Sequence, residues 1–176
     1  MSNKSELKEY SLSDGDIRTV LGQNISIMTY PELKHISNID DCFDDKGRCI
    51  ILYLTESENS GHWTALLKNG NHIEFFDPYG DSPEGVRSEI PPDKRQQLDE
   101  TRPYLQNLLK GSAYKVTHNR NPFQQDKAGI NTCGRHCVVR LKHHDLDISQ
   151  YKSLIKKSGM SPDDYVCHVT YEILHK

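Results

Sequence analysis

A chain of 176 residues can bury a real core, and with 35% hydrophobic and 27% charged residues it has the make-up of one polar globular domain. A net charge of −3 argues against broad electrostatic binding of nucleic acid, while leaving a local basic patch open. No apolar run approaches the ~18 residues of a membrane span, and the N-terminal stretch to Lys8 lacks a signal-peptide core, so the chain is expected inside a cell or a virion.

Residues 1–12 are polar and predict no firm structure. Ser13-Asp14-Gly15-Asp16 predicts a helix start, with Ile17, Val20 and Leu21 at helical spacing behind it and Gly22 placed to end it. Ile25 to Met28 reads as a short extended segment, and 31–39 as a short helix with Leu33, Ile36 and Ile39 inward. Asp40 to Gly47 reads as a solvated loop. Cys49-Ile50-Ile51-Leu52-Tyr53-Leu54 is almost continuously apolar, as a strand in the middle of a sheet is. A polar loop over 55–61 leads to a second strand, His62 to Leu67. Asn69-Gly70 signals a tight hairpin, and His72 to Phe76 is the returning strand, stopping at Asp77-Pro78-Tyr79-Gly80.

Residues 81–100, rich in proline and charge, predict a long surface connection with a helical turn after Pro92. A helix follows over 101–110, capped by Thr101, with Pro103 in its first turn, Leu105, Leu108 and Leu109 inward, and Gly111 at its stop. Tyr114 to His118 alternates like a strand. After an irregular stretch, a helix is expected over about 133–144 and another over about 149–157. A last one is capped by Ser161-Pro162-Asp163-Asp164, with Tyr165, Val169 and Ile173 on one face.

The five cysteines are odd in number and form no disulfide framework, so reduced thiols are expected. Zinc on Cys133, His136 and Cys137 lacks a fourth ligand. Cys133 stands apart because it opens a helix, where N–H groups and the macrodipole favour a thiolate. Gly134 after it allows close approach to the backbone. Cys137, one turn on, is expected to pack beneath it, and His136 to point away from the thiol. Across the Asn69-Gly70 hairpin, His62 and Asp77 stand about eight and seven positions from the turn, so the two side chains can meet. A carboxylate beside an imidazole orients and charges it, and an imidazolium beside a thiol lowers the thiol pKa. Trp63 is expected to be a core residue, and its indole can at the same time cover the imidazole. A glutamine amide from Gln124-Gln125, with N–H groups around Cys133, can hold an oxyanion.

Gly61-His62-Trp63, then Phe75-Phe76-Asp77-Pro78-Tyr79-Gly80, then Gln124-Gln125, then Thr132-Cys133-Gly134-Arg135-His136-Cys137 resemble, in that order, the cysteine proteases of the adenovirus-maturation and ubiquitin-like-protein-protease group. The resemblance covers about 49–144 and implies an α+β fold. That fold has a central mixed or antiparallel sheet, flanking helices and a buried helix starting at Cys133, within one domain over 1–176. It implies peptide-bond hydrolysis by Cys133 with His62, Asp77 and, at the oxyanion, Gln125; Gln124 stays an alternative. No metal or organic cofactor is implied. The expected substrates are polypeptides cut after small residues such as glycine, with capsid or core precursors of a DNA virus or virophage foremost. The expected setting is a virion or the host cytoplasm, and the chain is expected to act as a monomer. A ubiquitin-like modifier as partner, a nucleic-acid or peptide activator, acetyl transfer and a non-catalytic interaction module stay open alternatives.

Overall fold

Strand β2 (Arg48–Ser57) is the axis of the molecule. In the computed structural model, which describes residues 3–57 and 60–176, β2 lies between β1 (Ser26–Thr29), parallel to it, and β3 (Ser60–Asn69), antiparallel to it. Antiparallel β4 (His72–Phe76) and parallel β5 (Lys115–His118) complete a five-stranded mixed sheet in chain order. The continuous apolar run of β2 follows from cover on both faces. Ile50, Leu52 and Leu54 join one core cluster, and Cys49, Ile51 and Tyr53 the other.

The first face carries α2 (Asp14–Leu21), α6 (Cys133–Lys142), α7 (Ile148–Lys157) and α8 (Pro162–Leu174). The second carries two 3-10 turns, Tyr30–His35 and Ile39–Cys42, with α3 (Pro83–Glu89) and α5 (Tyr104–Lys110). Helix α6 is buried from Cys133 through Leu141. It even buries Arg140, whose guanidinium makes two 2.9 Å bonds to Glu74 of β4 and caps the carbonyls of His143 and Leu146. Among the described residues no helix is long and apolar enough to cross a membrane.

Several boundaries differ from expectation. Residues 1–12 contain α1 (Lys4–Glu9), held by an Asn3–Glu6 capping box. The helix expected over 31–39 is two 3-10 turns, and Arg48 folds back to pair with Asp44 at 3.0 Å, so the 40–47 loop is less solvated than its charge implied. The loop expected over 55–61 is largely strand, as β2 runs to Ser57 and β3 starts at Ser60; Glu58 and Asn59, like Met1 and Ser2, lie outside the described residues. The connection over 81–100 holds α3 and α4 (Pro92–Gln97). Ser82 caps α3, and Val86 and Ile90 bury its inner side. Thr101 makes no cap, because α5 starts three residues later with Pro103 at its N-cap.

Gly61 faces Leu54 across the β2–β3 ladder, and a Cβ built on it would fall 1.9 Å from the Tyr53 carbonyl oxygen. Gly61→Ala must therefore push the two strands apart beside His62. Urea denaturation is expected to show a loss of about 1–3 kcal/mol.

Candidate active site

Strand β4 stops at Phe76, opposite Ala65, so the first residues of β3 run on past it. Into that gap come the start of β3, the chain leaving β4 and the N-terminus of α6. They wall a groove of about 1260 Å³ that holds His62, Asp77, Tyr79, Gln124, Gln125 and Cys133.

The hairpin closes on Asn69↔His72, one position later than its Asn-Gly signal suggested. Continuing that register sets Tyr79, rather than Asp77, level with His62, and makes Asp77 its diagonal neighbour. Both positions are used. Asp77 Oδ1 lies 2.5 Å from His62 Nε2, while the Tyr79 ring stacks on the imidazole at 5.1 Å between centroids and 18° between planes. Trp63 is a core residue, as expected of it. Its Nε1 donates to the Leu12 carbonyl at 3.2 Å, and its indole lies 3.1 Å from where a Cβ on Gly134 would stand. Gly134 is thus needed for the close seat of α6 on Trp63 and Leu12.

Asp77 is buried and held from three sides. Asn119 accepts its backbone N–H at 2.9 Å and donates to its carbonyl at 2.6 Å, and Asp77 Oδ2 accepts from the Asp81 N–H at 2.8 Å. Since Nε2 faces Asp77, the other ring nitrogen of His62 is left for the Cys133 sulfur, which lines the same groove. Burial alone would lower the imidazole pKa; the hydrogen bonds to Asp77 and Cys133 overcome it and raise the pKa to about 10. Burial would raise the Cys133 thiol, but the hydrogen bond and charge of His62, with the N–H groups of Trp63 and Gly134, bring it below the ordinary thiol value. The two shifts favour the same state, thiolate beside imidazolium.

The remaining thiols are different. Burial pushes Cys42 and Cys167 up to about 11 and Cys49 and Cys137 further still. Cys137 packs in the core below Cys133. Cys133 is 8% exposed, against 0% for Cys42, Cys49 and Cys137 and 4% for Cys167, so it is also the most accessible of the five.

Gln125 is an exposed residue lining the groove, and its backbone N–H goes inward to Asp163 at 3.1 Å. Gln124 is buried, its Nε2 3.0 Å from the Ile130 carbonyl and 3.1 Å from the Tyr79 hydroxyl. Asp163, in the first turn of α8, also accepts from Thr132 Oγ1 at 2.7 Å and meets His136 Nε2 at 2.9 Å. One carboxylate therefore fastens the glutamine loop, the residue before Cys133 and the next turn of α6. Burial, against the pull of Asp163, holds His136 below the usual imidazole range, and the bonds from His136 and Thr132 overcome burial to keep Asp163 ionised. His136 turns from the thiol, as its position predicts, but toward a partner that sequence reasoning did not find. Tyr79, Asn119 and Asp163 were all passed over. Only Tyr79 carried a local signal, its place in Asp77-Pro78-Tyr79-Gly80.

No family model matches the chain. It is 36% identical over 173 residues to "Uncharacterized protein V9" of Sputnik virophage, a match covering 94% of this chain and 98% of that protein. Among solved structures it is similar to the central domain of the uncharacterized Lpg1148 protein from Legionella pneumophila, at 17% identity and a TM-score of 0.45, over 94% of this chain and 99% of that one. It is also similar to the C-terminal Ulp1 protease domain solved in complex with Smt3, the yeast ortholog of SUMO, at 14% identity and a TM-score of 0.40, over 96% and 80%. At those scores the chemistry has to be read from the site itself.

Proposed function

We propose that this chain, which belongs to the family of the Sputnik virophage protein V9, is a cysteine endopeptidase that cuts virion precursor polypeptides after small residues such as glycine. One observation carries the chemistry: Cys133, at a helix N-terminus, shares one groove with His62, and the imidazole Nε2 meets a buried carboxylate.

The thiolate adds to the scissile carbonyl carbon, forming the C–S bond as the π pair moves to oxygen. The oxyanion collapses and the C–N bond breaks, the leaving amine taking its proton from His62. Water then attacks the thioester. His62 takes a proton from it, the C–S bond breaks, and the acid leaves with the thiolate restored. Asp77 holds the ring oriented and charged in the resting state. Cys133 is the first residue of α6, so its N–H has no acceptor within the helix and is placed to donate to the oxyanion. The family resemblance gives the side-chain donor as Gln125.

Alkylation with iodoacetamide at pH 6, followed by peptide mapping, tests the charge state. An ordinary thiol is under about 1% ionised there, so Cys133 is expected to react well ahead of the other four. His62→Ala keeps the access and removes the charge partner, and is expected to abolish that lead. Equal labelling of all five thiols, or an undiminished lead in His62→Ala, would sink the assignment. Incubation with virion precursors and, in parallel, with a ubiquitin-like conjugate decides the substrate. Cleavage of the conjugate alone would replace precursor processing with deconjugation.

A further inference from the structure

Both hydrogens of the Gln124 amide are already committed. The Ile130 carbonyl can only accept, so Nε2 must face it, and the second N–H goes to the Tyr79 hydroxyl. Gln124 has none left for a substrate without breaking its own contacts, and Gln125 is an exposed residue with no hydrogen bond to hold its amide among the described residues. Tyr79 is furnished differently. Its oxygen accepts from Gln124, its ring is fixed against His62, and it lines the same groove as Cys133. A phenol also carries one hydrogen, and among the described residues no protein group accepts it.

We propose that the Tyr79 hydroxyl, held by Gln124 and aimed by its stack on His62, donates the side-chain hydrogen bond to the substrate carbonyl oxygen as that oxygen becomes an anion. The proposal rests on the cysteine-hydrolase reading above. An amide N–H donated into the phenol oxygen polarises the O–H and makes it the stronger donor. Burial, then the charge of Cys133, raises the phenol pKa to about 12, so the hydrogen is in place at neutral pH. Two donors then converge, the phenol O–H and the Cys133 N–H, where sequence reasoning looked for a glutamine.

Tyr79→Phe keeps the ring and removes only the oxygen, and a tripeptide aldehyde ending in glycinal is the probe. The Cys133 thiolate adds to the aldehyde, S–C bond for C=O π bond, and the proton held by His62 passes to the oxygen, which sits where the oxyanion forms. Tyr79→Phe is expected to bind this aldehyde about 10- to 100-fold more weakly and to lose about 10²–10³-fold in kcat with KM little changed. Its rate of alkylation by iodoacetamide, the pH profile of that rate and its melting temperature are expected to match the wild type. Gln125→Ala separates the two donors, since the resemblance puts the loss at that residue and the proposal puts it at Tyr79. The donor role is overturned if Tyr79→Phe binds aldehyde and turns over like the wild type, or if the loss falls on Gln125→Ala instead. It is overturned as well if the alkylation profile shifts with kcat, since Tyr79 would then act only by holding His62. A wild-type protein that takes no aldehyde at Cys133 brings down the hydrolase reading itself, a result distinct from any of these.

Discussion

Cys133→Ala is expected to abolish cleavage of a glycine-containing precursor peptide, a loss of at least about 10⁴-fold in kcat, while circular dichroism and the melting curve stay near those of the wild type. The fold should survive because the substitution removes a single sulfur from a position that opens on the groove. Asp77→Asn tests the same unit from the other end. The asparagine is close to isosteric, so the bonds of its backbone to Asn119 can persist, but the imidazolium loses its counter-charge. A fall of about 10³–10⁴-fold in kcat is expected, together with loss of the preferential alkylation at pH 6. The sign follows from the two shifts. The imidazole is raised to about 10 chiefly through Asp77, and the thiol is lowered through His62, so removing the carboxylate lowers the first and lets the second rise. Combining Cys133→Ala with Asp77→Asn should cost no more than Cys133→Ala alone, because the residues act as one device. Cleavage by Cys133→Ala at anything near the wild-type rate would refute the assignment.

The second large effect concerns stability. Glu74→Ala leaves the Arg140 guanidinium buried without its carboxylate, and urea denaturation is expected to show a loss of about 3–5 kcal/mol. The double change Glu74→Leu with Arg140→Met replaces the pair by apolar side chains of similar size and is expected to recover much of that loss. Recovery should be incomplete, since Arg140 also satisfies the carbonyls of His143 and Leu146, and methionine donates to neither. If Glu74→Ala melts like the wild type, the pair does not hold α6 to the sheet.

Much of this architecture is local and was legible. The apolar run of β2, the Asn69-Gly70 turn and the capping sequences at Ser13 and Ser161 each act over a few residues, and each produced its element. Helices α1 and α3 escaped because α1 buries no residue and α3 only Val86, so neither carries a periodic apolar face. The meeting of His62 and Asp77 was legible from the hairpin, but its register was not. The turn closes one position later than its signal, and that shift sets Tyr79 level with the imidazole and makes Asp77 its diagonal neighbour. Asp163 was hidden for a different reason. In sequence it is one of two acids in a helix's first turn, where acids are common. Only the packing of α8 on α6 separates them: Asp163 goes inward to Thr132 and His136, and Asp164 outward to Lys8. Thr132 and Asp163 are 31 residues apart, beyond any local pattern.

That separation also has a meaning in time. Asp163 is added to the growing chain 31 residues after Thr132, an interval of about 2–6 s at ordinary rates of translation. Until it arrives, neither the glutamine loop nor the residue before Cys133 has its buried anchor. Anchoring of the site is therefore a late event: Thr132 and the glutamine loop are made first and are fastened only once α8 has formed and docked on α6.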